Sequence, residues 1–167
     1  MNPPHAPPSH PSRPRGWVRT FSLEDARALV PVLVGAFART TQLITERRLA
    51  LEVLIEEGVL GAEGPVPRPD EVPADLLPTL AVAGSVDALV EAELRRLSRL
   101  GVDVREVLRG HVDLPTVLDG QREVVLCWCL GDRTVAHFHE VGGDLASRRA
   151  IGEHRFFERR QLGSPQR

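Results

Sequence analysis

Between Gly110 and Glu140 the chain reads GHVDLPTVLDGQREVVLCWCLGDRTVAHFHE, and its thiols, imidazoles and several acids concentrate there. Cys127 and Cys129 alternate on one expected strand, and His137 and His139 on the next, so each pair shares a face. Whether the two faces coincide depends on the connecting loop. With an odd number of loop residues, such as Gly131-Asp132-Arg133, Cys127 lies opposite His137. A set of Cys127, Cys129, His137 and His139 is then sterically allowed, and zinc or another divalent metal is the cofactor it would take. With two or four loop residues, thiols and imidazoles fall on opposite faces. CxC with HxH is an unusual spacing beside CxxC knuckles. The plainer reading has Cys127 and Val125 filling a core face as small hydrophobes.

A second constellation comprises Asp113, Cys127, His139, Glu140, Arg148 and Arg149. A histidine at a strand end beside an acid, with Asp113 on a neighbouring strand, suits a general-base pair or an open metal site, and the two arginines suit an anion clamp. Plainer readings stand beside these. Neighbours on a strand point to opposite faces, which separates His139 from Glu140 unless the strand has already ended. Asp113, ahead of Leu114-Pro115, can accept backbone donors in a turn. Arg148 and Arg149 can pair with Glu140 or Asp144. Trp128 alternates with Leu126 and Leu130 and is expected in the core.

The elements that must position these groups are legible from periodicity. Ser22 can cap a helix start at Phe21-Ser22-Leu23-Glu24-Asp25, with Asp25 as the reciprocal acid of a capping box. Val30, Leu33, Phe37, Thr40, Ile44, Arg47, Leu51 and Leu54 follow spacings of three and four, which predicts one long amphipathic helix over about 23–57, kinked at Pro31. Glycines and prolines over 58–78 predict a mobile linker. A second helix is expected over about 79–100, capped by Ser85, with Val86, Val90, Leu94 and Leu97 on one side and a Glu91–Arg95 pair on the other. Gly101 closes it through a left-handed residue. Alternation then predicts a β-meander over about 102–140, with strands Val102–Val107, His111–Leu114, Glu123–Leu130 and Thr134–His139. Residues 152–167 form a basic tail, either a short helix or loose.

Composition bounds the rest. With 167 residues and 42% hydrophobic content, the chain suits one domain, here 19–151. The proline-rich segment 1–18 reads as a disordered arm without the apolar block of a secretory signal. The longest apolar run, Leu29–Ala38, falls short of the roughly twenty residues of a bilayer span, so no membrane association is expected. Two cysteines on one strand make no disulfide framework, and a cytoplasmic location fits. A net charge of −2 argues against general nucleic-acid binding. The basic residues are all arginine; Arg47, Arg48, Arg95, Arg96 and Arg99 read as a solvated face, with phosphate recognition the sharper alternative.

The pieces FSLEDARALVP, RGHVDLP, LCWCLGD and HFHE, followed by Gly143 and an Arg-Arg pair, resemble an uncharacterised bacterial family catalogued as domain of unknown function 2203. The matching positions are Gly110, Asp113, Pro115, Leu126, Cys127, Trp128, Gly131, His139, Glu140 and one of Arg148 or Arg149. Leu114 and the pair His137-Phe138 depart from the pattern, which marks His137, and likewise Cys129, as private to this chain. The resemblance implies a small bacterial protein and no particular activity.

The combined expectation is an α+β fold, with a long antiparallel helical hairpin followed by a small antiparallel β-meander. Two seamed helices of unequal length suit a homodimer, coiled together, and a non-catalytic self-associating interaction module. The alternative is a metal- or small-anion-binding protein, possibly an enzyme, built around Asp113, Cys127, His139 and Arg148 or Arg149.

Overall fold

The computed structural model describes residues 19–61 and 65–159. The segment expected as an N-terminal arm lies outside the described residues, as does the end of the basic tail. The fold is α+β: a long pair of helices followed by an antiparallel sheet. Helix α1 spans Leu23–Ala28, α2 Val30–Glu56 and α3 Leu77–Arg99. Strands β1 (Asp103–Glu106), β2 (His111–Leu118), β3 (Arg122–Trp128), β4 (His137–Glu140), β5 (Arg149–Ala150) and β6 (Phe156–Phe157) follow.

The first helical region differs from the expected single kinked rod. Helix α1 stops at Ala28 and α2 starts at Val30, with Pro31 in its first turn. Proline lacks an N–H and its ring crowds the preceding turn, so it is better accommodated at a helix start than inside one. Ser22 Oγ accepts from Asp25 N at 3.1 Å, as a cap should. Asp25 Oδ2, however, takes the Ser22 hydroxyl at 2.7 Å instead of a backbone N–H.

The seam is as the spacing implies. Leu33, Phe37, Thr40 and Leu54 are buried, and none of the eight seam positions is exposed. Thr40 satisfies its hydroxyl on the Ala36 carbonyl at 3.0 Å, so it sits buried without a partner from another element. Arg39 pairs with Glu93 at 2.5 Å and Arg47 with Asp87 at 3.5 Å, so later positions on α2 meet earlier ones on α3. The Glu91–Arg95 pair forms at 2.7 Å.

Helix α3 covers the expected range to within two residues, but Ser85 does not cap it. Pro78 stands in its first turn, and Ser85 lies inside the helix with its hydroxyl on the Val82 carbonyl at 3.3 Å. The stretch read as a mobile linker also contains order. Two short 3₁₀ turns, Pro69–Glu71 and Ala74–Leu76, lead into α3. Leu60 and Val72 join Ala50, Leu54, Leu80 and Ala83 in a small core of their own. By length and composition, Leu23–Glu56 is apolar enough to cross a membrane, reaching a mean hydropathy of 1.4 in its most apolar window. The strict apolar run missed this because a window average tolerates scattered polar residues.

Gly101 ends α3 with φ +88°, and Val102 N returns to the Leu97 carbonyl at 3.2 Å. The sheet runs in the order β1-β2-β3-β4-β5, with β6 added beside β2. Strands β1 and β6 cover different stretches of one edge of β2, and Pro115 sits between them. Its carbonyl accepts from Phe21 N at 2.7 Å, and the proline's missing N–H belongs to this same open edge. The C-terminal segment, expected as a helix or loose, thus completes the sheet, with Ile151 and Phe156 buried. The two ends of the described chain meet there: Arg159 N donates to Thr20 Oγ1, and Arg19 lies 4.0 Å from Glu158.

Strand alternation divides the sheet into two faces. Val112, Leu114, Val124, Leu126, Trp128 and Phe138 turn into the main core with Phe21, Leu33, Phe37 and Leu97. Trp128 stacks on Phe37 with ring centroids 6.2 Å apart and gives its indole N–H to the Asp132 carbonyl at 3.0 Å. Each such side chain removed from water is worth about 1.5–3 kcal/mol. The polar groups of interest occupy the opposite face.

Candidate metal centre

The parity question resolves in favour of convergence. Cys127 pairs with His137 and Val125 with His139 across β3 and β4, so thiols and imidazoles share one face. Asp113 pairs with Cys127 across β2 and β3, which brings the acid to the same face. His111, two residues before Asp113 on β2, follows by alternation.

His111, Asp113, Cys127 and His139 each offer a ligand atom, and these four atoms all lie within 4.8 Å of one another. Asp113 Oδ1 is 3.1 Å from His139 Nε2 and 3.3 Å from His111 Nε2. His111 Nε2 is in turn 3.4 Å from Cys127 Sγ. His139 Nδ1 lies 2.9 Å from the Glu140 carbonyl. A carbonyl and a carboxylate can only accept, so the ring donates from Nδ1 to the Glu140 carbonyl and, when Nε2 is also protonated, from Nε2 to Asp113; without that second proton Nε2 turns its lone pair to the cluster. All four side chains are buried.

Burial dominates the electrostatics. It pushes the Cys127 thiol up to about 12, with the Asp113 charge adding to the shift. Burial also lowers His111, against the pull of Asp113. At His139 burial again works against the charged ring, but the hydrogen bonds to Asp113 and to the Glu140 carbonyl outweigh it, and the net shift is upward.

Of the second constellation, Asp113, Cys127 and His139 come together and the other three residues do not. Glu140 turns to the exposed side and pairs with Arg149 at 2.6 Å and Arg122 at 3.3 Å; only its backbone carbonyl serves the cluster. Arg149 also lies over the Phe138 ring, on the core-side face, 4.9 Å from its centroid. Arg148 stands one step away, 3.4 Å from Asp132 Oδ2, which also accepts Cys129 N at 3.0 Å. Asp113 lies within a strand, so its carboxylate meets imidazoles in place of the backbone donors of a turn.

The four-residue set Cys127, Cys129, His137 and His139 shares a face without assembling. Only Cys127 and His139 of this set belong to the group whose ligand atoms converge within 4.8 Å. Cys129 lies beyond the last ladder pair, where its backbone is drawn toward Asp132, and it lines a cleft of about 680 Å³ with Arg109, Leu145 and Arg148. His137 Nδ1 is buried with no hydrogen-bond partner among the described residues.

Residue type and motif spacing assign no site role to two residues at the cluster, His111 and Arg105. His111 opens β2 two residues before Asp113, and that alternate spacing is the signal that finds it. Arg105 Nε lies 3.5 Å from Asp113 Oδ2. Gly143 closes over His139: a Cβ there would meet Ser147 Oγ at 2.7 Å and both His139 Nδ1 and the Glu140 carbonyl at 3.0 Å.

The protein is thus an α+β domain with a buried nitrogen, oxygen and sulfur donor cluster on the sheet face turned away from its main core. Residues 19–151 match the family model described as "Uncharacterized conserved protein (DUF2203)", and the chain belongs to that family. No curated protein and no solved structure matches it.

Proposed function

We propose that this protein binds one divalent cation of the zinc class through His111, Asp113, Cys127 and His139, and that the ion ties β2, β3 and β4 together in a non-catalytic role. The observation that carries this reading is the convergence of four ligand atoms from three strands within 4.8 Å. Ligand bonds of roughly 2.0–2.3 Å in a tetrahedron put neighbouring donors about 3.3–3.8 Å apart. The contacts of 3.1, 3.3 and 3.4 Å need little adjustment to reach that spacing. Two imidazoles, a carboxylate and a thiolate make a donor set suited to zinc, and the bond from His139 to the Glu140 carbonyl orients its ring as outer-shell partners of metal ligands do. Four protein ligands complete a tetrahedral shell, whereas catalytic zinc keeps a position open.

The test is elemental analysis of protein purified without a histidine tag. One equivalent of metal is expected, lost in His111→Ala and His139→Ala and kept in His137→Ala and Cys129→Ala. Equal loss from the last two would point instead to the Cys127, Cys129, His137 and His139 set. Metal-free protein that takes up no added zinc would refute both.

A second reading concerns the helices. Leu49, Val53 and Ile55 on α2 and Val82 and Leu89 on α3 are large apolar side chains left exposed. They favour self-association through this helical surface, which light scattering would report as a dimer mass.

A further inference from the structure

Strands β1 and β2 pair Asp103 with Asp113 and Val104 with Val112, but the next pair is Glu106 with His111. The register slips by one residue and leaves Arg105 without a partner on β2. A bulge of this kind re-aims the extra side chain. Here Arg105 comes to lie between two carboxylates, with Nη1 3.4 Å from Asp103 Oδ2 and Nε 3.5 Å from Asp113 Oδ2. Asp113 therefore divides its oxygens: Oδ1 faces both imidazole Nε2 atoms and Oδ2 faces the guanidinium.

Building on the metal reading above, we infer that Arg105 is a specificity-determining positioning residue, which keeps Asp113 a one-oxygen ligand and so holds the site to four-coordinate ions. A carboxylate free to offer both oxygens raises the coordination number. That favours oxygen-preferring ions such as Mn²⁺ over tetrahedral zinc. The guanidinium takes up the second oxygen, and the bulge supplies its aim.

Cobalt(II) is the probe, because its visible d–d absorption is intense in tetrahedral sites and weak at five or six ligands. The full chain should bind one cobalt with the intense spectrum. Arg105→Gln should bind cobalt with a much weaker band, should lose roughly 10–100-fold in zinc affinity, as outer-shell changes do, and should gain in manganese affinity relative to zinc. Arg105→Lys should restore part of the intensity. Arg105 also separates two like charges, so the same substitution is made in an Asp103→Asn background, where that repulsion is gone. A spectral change that persists there supports positioning. An intense band and unchanged zinc-to-manganese preference in Arg105→Gln, with wild type binding normally, would overturn the inference and leave the site standing. A wild-type chain that binds no cobalt and no zinc overturns both.

Discussion

At the residue scale, the cluster depends on small features around its four donors. Gly143 is one, because a methyl group there meets the Ser147 hydroxyl, the Glu140 carbonyl and the His139 ring at 2.7–3.0 Å. Gly143→Ala should displace the His139 ring, weaken zinc binding by about tenfold or more, and cost about 1–3 kcal/mol in stability. Isothermal titration with zinc and urea unfolding measure the two effects. An unchanged affinity would mean that the 141–148 loop yields without moving the ring. Cys127 and His139 were legible because their types are rare in this chain, and Asp113 because it lies on a neighbouring strand. His111 was not, because a single histidine opening a strand looks like any other polar strand residue. Arg105 was beyond reach for a stronger reason: its aim comes from a bulge, and no residue type near Val104 announces one.

At the scale of elements, the helices were readable because burial imposes a period on them. All eight seam residues of α2 came out buried or half-buried, and Gly101 stopped α3 where a left-handed residue was required. The failures have local causes. Pro31 and Pro78 sit at helix starts, so the first broke the expected rod and the second, in place of Ser85, stands in the first turn of α3. The β6 strand escaped notice because two residues, Phe156 and Phe157, show no alternation. The helix pair also carries a pH-sensitive clamp. Glu93 is shared by Arg96 at 2.8 Å and Arg39 at 2.5 Å, and the hydrogen bond from Arg96, foremost, holds its carboxyl below the usual 4.5. A depressed folded-state value stabilises above the unfolded one and fades as pH drops through the folded one. Glu93→Gln should therefore destabilise by about 0.5–1 kcal/mol at neutral pH. The difference from wild type should shrink below pH 4.5. Urea midpoints across that range test this, and a gap that stays constant into acid would rule the clamp out.

At the scale of the whole molecule, an ion shared by β2, β3 and β4 links folding to metal. Any ligand bound only by the folded chain adds about 2.7 kcal/mol at a free concentration 100 times its Kd. For a domain of this size that corresponds to a rise in melting temperature of roughly 5–10 °C. Chelation should reverse it, and Cys127→Ser should show little or none; a melting curve indifferent to zinc would argue against occupancy in the folded state. The sequence carried the two-part architecture, helices then sheet, because the period changes once, at Gly101. It carried less of how the parts close, since β6 on β2 joins residues some forty positions apart and Phe21 against Pro115 joins residues more than ninety apart. That closure sets Arg19 beside Glu158. A short glycine–serine bridge should therefore weld these two points into a continuous loop of chain with no strain on the sheet, and circularised protein should resist exopeptidases while keeping its spectrum.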